Sequence, residues 1–208
     1  MKRMVFILSL LGGTLFILSP FLILSVHGDN ENTTAAQGTK EMNMDIKSDK
    51  VENLIAQAKA MITGTQEGSA IKGEATLREV QGGVEVMAEL SNIPNPGKHG
   101  FHVHENGSCE DAGKAAGGHF NPKGSPHGLL SKDGPEKAHC GDMGNIVIDE
   151  KGNGKLVEFL PGVSLTQGEN DIVGKAIILH EKEDDFSQPT GNAGARIGCG
   201  IIEIILNK

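Results

Sequence analysis

The sequence predicts an all-β domain of about eight strands, preceded by an N-terminal apolar export segment. Three observations carry this reading. Gly is abundant at 29 of 208 residues while Trp and Tyr are absent, so the core must come from Val, Ile, Leu, Met and Phe. Short runs of alternating apolar and polar residues recur between Gly-rich turns, the pattern of half-buried strands. And Lys2 and Arg3 precede an uncharged stretch from Met4 to Val26, a basic start followed by an apolar run.

The elements follow in sequence order. Residues 1–28 read as a signal peptide, with Gly28 a small residue that permits cleavage. The apolar run is also long enough to nearly span a bilayer, so retention as a membrane anchor stays open. Residues 29–50 are polar without periodicity and read as a linker, which extends to residue 55 before a domain over 56–208. From Val51 the pattern divides. Val51, Leu54, Ile55 and Ala58 fit a helical stripe, whereas Ile55 to Ile62 fits a first strand. Ile71 to Arg78 alternates, Gln81-Gly82-Gly83 turns, and Val84 to Leu90 alternates again, which predicts a hairpin. A short strand follows at Gly100–Glu105. Asn145–Asp149 and Lys155–Leu160 flank Gly152-Asn153-Gly154 as a second hairpin. Gly174–His180 and Cys199–Leu206 are the last apolar strands.

Charge narrows the function classes. The formal net charge is −8, and removing residues 1–28 takes Lys2 and Arg3 and no acid, leaving −10. An acidic protein without a basic stripe is a poor nucleic-acid binder, so no nucleic-acid partner is expected.

Between Asn106 and Met143 lies a long Gly-, Pro-, His- and Cys-rich segment with little periodicity. A loop of that length in a compact domain is usually functional. Upstream of it, His102 and His104 are two apart, so a strand would carry Phe101 and Val103 into the core and both imidazoles outward together. Two imidazoles on one face are half a copper or zinc site. Alone, such a pair is more often two exposed strand histidines. The loop then supplies His119, His127, His139 and Asp142, and His180 ends an apolar strand. Three histidines and one carboxylate make a closed tetrahedral zinc site. His102, His104 and His180 need one more imidazole to complete copper, and His119 has two nitrogens with which to serve both metals.

The segments GFHVHENGSC, GGHFNP, HCGDMGN, ILHEKEDD and TGNAGARIGCG are similar to those of the copper/zinc superoxide dismutase family, in its exported bacterial form. The resemblance covers about residues 57–208. It implies an eight-stranded Greek-key flattened barrel with long metal-binding loops. It implies copper on His102, His104, His119 and His180, zinc on His119, His127, His139 and Asp142, and His119 as the bridge. Asp184 matches the carboxylate that bonds one ligand of each metal, and Arg196 the active-site arginine. Cys109 and Cys199 match the intrasubunit disulfide, which export favours. The implied activity is disproportionation of superoxide to oxygen and hydrogen peroxide, with copper cycling between Cu(II) and Cu(I), zinc structural, and one of each metal per subunit. A homodimer is a candidate assembly, and an uncleaved N-terminus would associate with a membrane. The expected location is the periplasm or cell envelope.

Two departures accompany the resemblance. Cys140 stands where the family has an apolar residue, either as a small buried hydrophobe or as a thiolate ligand. The loop from Glu183 to Gly194 is short and lacks a lysine-rich set, leaving Lys123, Lys182 and Lys132 as candidate compensating charges. His27 and His99 match no ligand, and His99 reads as a turn or surface residue. A metal store without catalysis, or an interaction domain keeping only the barrel, would be expected to have lost Arg196 or some ligands. All are present, and the complete zinc set argues against a copper-only form.

Overall fold

A computed structural model describes residues 55–206. The export segment at 1–28 and all but the end of the linker lie outside the described residues. Eight strands form one closed antiparallel barrel: β1 (Gln57–Gly64), β2 (Lys72–Val80), β3 (Gly83–Ser91), β4 (Gly97–His104), β5 (Asp142–Ile148), β6 (Gly154–Pro161), β7 (Ala176–His180) and β8 (Arg196–Ile204). Their spatial order is β1-β2-β3-β6-β5-β4-β7-β8. The non-consecutive neighbours β3–β6 and β4–β7 are the Greek-key crossings. Among the described residues helix is confined to a 3-10 turn at Lys114–Ala116 and one turn, α1, at Leu130–Asp133. Among the described residues no helix is long and apolar enough to cross a membrane.

Over the described part of residues 51–62 the divided reading resolves as a strand, beginning at Gln57, for a tertiary reason. β1 pairs with β2 on one edge and with β8 on the other, closing the barrel. Ala58, Ala60 and Ile62 point inward and are buried, while Lys59, Met61 and Thr63 alternate outward. Val84, Val86, Ala88 and Leu90 of β3 are likewise buried. Phe101 is fully buried in this core, and truncating such a side chain to Ala costs about 3–5 kcal/mol.

Alternation fails on β4 and β7, and the failure locates the site. Every residue from His99 to His104, and every residue of β7, is buried. Strands covered on both faces lose the in–out pattern. Phe101, Val103, Ile177 and Leu179 belong to the barrel interior, while Ala176 and Ile178 pack outside it with Ala116, Cys109 and Cys199. The outer cover is the long loop. It lies beside β4 as a partial extra strand: Phe120 N–H donates to Val103 O at 2.8 Å, Val103 N–H to Gly141 O at 2.9 Å, and Gly141 N–H to Phe120 O at 3.0 Å. Gly141 is required by close approach, because a Cβ there would collide with the Val103 carbonyl. A register shift between Gly100 and His102 places an extra residue on β5, and beyond the His102–Asp142 pair, where β5 begins, that edge of β4 is taken by the loop. The Cys109–Cys199 disulfide, with Cα atoms 5.8 Å apart, fastens the loop to β8. Closing its 90-residue separation stabilises by about 4–5 kcal/mol in the chain-entropy account.

Candidate metal centre

Each ligand-type side chain arrives by a different route. His102 and His104 project from the outer face of β4, facing outward as the alternation predicts, yet both are buried because the loop covers them. β7 ends at His180, and the β4–β7 pairing of Phe101 with Leu179 brings it alongside. His119 is carried by the loop segment that pairs with His104. His127 and His139 come from the rest of the loop, and Asp142 opens β5.

These routes converge. The donor atoms of His102, His104, His119 and His180 lie within 4.8 Å of one another, as do those of His119, His127, His139 and Asp142. His119 is common to both groups, its ring centroid 4.3 Å from His102, 4.9 Å from His104, 5.2 Å from His127 and 5.4 Å from His139. Its Nδ1 lies 2.8 Å from Asp142 Oδ1 and 3.4 Å from His139 Nδ1, which leaves Nε2 for His102, His104 and His180.

Hydrogen bonds on the far side of the His102, His104 and His127 rings select the nitrogen that faces inward. His104 Nδ1 donates to Gly117 O at 3.0 Å, so Nε2 is left to approach His180 Nε2 at 3.3 Å. Asp184 accepts from His102 Nε2 at 2.9 Å and from His127 Nε2 at 2.9 Å, tying one member of each group. The opposite nitrogens, His102 Nδ1 and His127 Nδ1, are buried without a hydrogen-bond partner. His127 Nδ1 lies 2.9 Å from Asp142 Oδ2 but without hydrogen-bond geometry. Buried polar atoms left unpaired are costly. Inward, unprotonated nitrogens bonded on the outer side are what metal-binding imidazoles present. The donor set therefore fits one four-imidazole site and one three-imidazole, one-carboxylate site.

Electrostatics agree for His104, His119 and His180, whereas His127 keeps its proton until a metal displaces it. Burial lowers His119 to about 4 and His180 to about 3, and pushes His104 further down, which keeps these rings neutral with a lone pair free. Burial also opposes the charged form of His127, but the carboxylates of Asp142 and Asp184 outweigh it and raise that ring to about 9. Burial works against the Asp142 carboxylate too. Hydrogen bonds from His119, His127 and His139 outweigh it and hold the group well below the ordinary range. Burial likewise opposes the Asp184 carboxylate, and hydrogen bonds from His102 and His127 again hold it low.

The four-imidazole group opens to solvent through a cavity of about 360 Å³ lined by His104, His119, His180, Thr190, Asn192 and Arg196, among others. A larger recess of about 490 Å³ beside Glu89, Asp149 and Lys155 holds no such donor set. Arg196 is half-buried at the mouth, and its Nη1 donates to Gly113 O at 2.7 Å and its Nη2 to Gly117 O at 2.6 Å. None of the three lysines weighed as compensating charges lines the cavity, although the Lys182 stem packs against Gly194, which does. Cys140 is buried, with Sγ 3.6 Å from Asn170 Oδ1 and outside both donor groups. It packs as a small hydrophobe, and burial pushes its thiol pKa up.

His99 corrects the sequence reading. It is buried, not at the surface, with Nδ1 2.8 Å from His180 O and Nε2 2.8 Å from Asn95 O. Its signal was available: positions 99, 101 and 103 share one face of β4. Asn145 was also missed. Its amide donates to Asp184 O at 2.9 Å and accepts from Asp184 N–H at 2.7 Å.

A closed Greek-key barrel with paired metal-type donor sets joined at one imidazole, opening beside a half-buried arginine, defines a class: a small all-β redox metalloenzyme. The sequence pattern described as Copper/zinc superoxide dismutase (SODC) matches residues 71–202. The protein is 43% identical over 142 residues to Cu-Zn superoxide dismutase 2 of Aquifex aeolicus, covering 65% of its own length and 81% of the relative. It is 38% identical over 141 residues to the Cu-Zn superoxide dismutase of Paramecium bursaria Chlorella virus 1, covering 64% and 72%. Among solved structures, that of the clock protein EA4 superposes with a TM-score of 0.64 at 36% identity, covering 73% of this protein and 96% of the other. The protein belongs to the copper/zinc superoxide dismutase family. Its activity is the dismutation of superoxide, with copper and zinc as cofactors.

Proposed function

We propose that copper is held by His102, His104, His119 and His180, zinc by His119, His127, His139 and Asp142, and that Arg196 docks the superoxide anion. The observation that carries this is the place of His119, whose ring lies within about 5.4 Å of members of both groups. When bound, copper supplies one-electron exchange with superoxide, and zinc, with its filled d shell, supplies fixed charge without redox. Two superoxide anions and two protons give one oxygen and one hydrogen peroxide. His119 holds one of those protons at Nε2 and passes it to the departing peroxide, while Nδ1 keeps its place beside Asp142 and His139. Asp184 fixes the rings of His102 and His127 from behind. The Arg196 guanidinium presents a planar, permanently charged fork to a small anion.

The test is metal analysis of the purified protein with a superoxide assay before and after chelation, in wild type and His119→Ala. Loss of activity with weakened binding of both metals is expected. Unchanged turnover in metal-loaded His119→Ala would overturn the bridge.

The same reading places the protein outside the cytoplasm, in the periplasm or cell envelope. The basic-then-apolar residues 2–26 and the Cys109–Cys199 disulfide support it. Processing at Gly28 releases it, retention of residues 1–28 keeps it at a membrane, and a homodimer is the proposed assembly. Cell fractionation with N-terminal sequencing tests the first two, and sedimentation the third.

A further inference from the structure

His127 is carried by a stretch of loop with no strand of its own. Its backbone N–H donates to Gln188 Oε1 at 3.0 Å, and its backbone carbonyl oxygen accepts from Gln188 Nε2 at 2.8 Å. Among the described residues neither group bonds to another backbone amide. One side-chain amide thus does for His127 what a neighbouring strand does for a strand residue. The amide orientation is fixed by its partners, since the reverse would set donor against donor and acceptor against acceptor.

The loop that carries Gln188 holds the His127 ring as well. Asp184 accepts from its Nε2, and the Phe186 ring lies over the imidazole at 6.2 Å and 20°. The loop is closed on itself: Gly191 N–H donates to Ser187 O at 2.7 Å, and Asp185 N–H to Gly191 O at 2.9 Å. Gly191 is needed there, because its φ is +71° and a Cβ would collide with Asp184. Asn145 grips the backbone of Asp184 as Gln188 grips that of His127. Two residues with clamped backbones therefore meet through their side chains.

We infer that Gln188 is a positioning residue for the zinc-binding imidazole: its amide fixes the backbone from which His127 projects, so zinc retention depends on a side chain that touches neither metal nor substrate. This rests on the zinc assignment above. Gln188 is otherwise exposed, so replacing it removes little buried surface and leaves the barrel core intact. What it removes is the partner of two backbone polar groups behind a ligand, the kind of support whose loss weakens metal binding about 10–100-fold.

The experiment measures zinc transfer from the copper- and zinc-loaded enzyme to excess chelating dye. Gln188→Ala is expected to release zinc at least about tenfold faster than wild type. Gln188→Glu keeps an acceptor for the His127 N–H but loses the donor to its carbonyl, and is expected to fall between. Should Gln188→Ala fold poorly, the Glu variant carries the test alone. With Co(II) in place of zinc, the visible bands of either variant are expected to shift, because the His127 ring meets the metal from a displaced backbone. Ser187→Ala removes a contact to Asn192 in the same loop without touching His127, and is expected to release zinc at the wild-type rate. Wild-type release and wild-type Co(II) bands in both Gln188 variants would overturn the inference, as would equal acceleration by Ser187→Ala. Wild-type zinc retention in His127→Ala would instead sink the zinc assignment, and the inference with it.

Discussion

Arg196 and His104 bond to the same atom. The Gly117 carbonyl accepts Nη2 of Arg196 at 2.6 Å and Nδ1 of His104 at 3.0 Å. The group proposed to receive the substrate anion and a ring proposed to hold copper thus share one anchor, on a loop fastened to β8 by the disulfide.

Arg196→Lys keeps the charge but not the fork that spans Gly113 and Gly117. Its kcat/KM for superoxide is expected to fall about tenfold, the worth of one charge-assisted hydrogen bond. The copper EPR spectrum should shift too, because His104 loses a companion on its acceptor. Pulse radiolysis with EPR measures both, and an unchanged spectrum would separate the two roles.

Asp184→Ala leaves His102 Nε2 and His127 Nε2 without their shared acceptor. Both metals are expected to bind about 10–100-fold more weakly, although Asp184 belongs to neither donor set proposed for them. Competition titrations with chelators of graded affinity read this directly. A loss confined to one metal would contradict the shared-acceptor geometry.

The metal-free protein should lose stability in acid and, more gently, in alkali. Burial depresses His119 to about 4 and His180 to about 3 from 6.5, so the unfolded state takes protons more readily. Their contribution is complete above pH 6.5 and is lost as pH falls towards 4 and 3. His127, raised to about 9, acts oppositely: its contribution is complete below pH 6.5 and fades as pH rises through about 9. Urea unfolding of the metal-free protein from about pH 4 to 10 should therefore show a maximum near neutrality. A midpoint still rising from about pH 7 to 10 would refute the His127 part.

Reducing the Cys109–Cys199 bond should cost about 4–5 kcal/mol, seen as a lower denaturation midpoint. It should also cost activity, because the released loop carries the Gly113 and Gly117 carbonyls that hold Arg196. Activity retained at full stability loss would show that the loop keeps its place without the bond.

The local code was sufficient for much of this molecule. Period-two alternation marks β2 and β3 because each has one face in the core and one in water, whereas β6 is marked by the Gly152-Asn153-Gly154 turn before it, since its exposed Val157 and Phe159 break the alternation. The spacing of His102 and His104 alone puts both imidazoles on one side of β4. Where two distant segments cover a strand, that code is silent. β7 reads as an unbroken apolar run, and β1 reads equally as helix until β8 pairs with it. His99 looks like a turn residue until the carbonyls of His180 and Asn95 enclose it. No periodicity announces that Gln188 reaches His127, 61 positions away, because loop hydrogen bonds follow from where the barrel sets the loops down. The sequence thus shows its candidate ligands in its own residue types and spacings. Which ring stands between the two groups, and what holds each ring still, is decided only by strand pairing and loop closure, which act between residues with no sequence relation to one another.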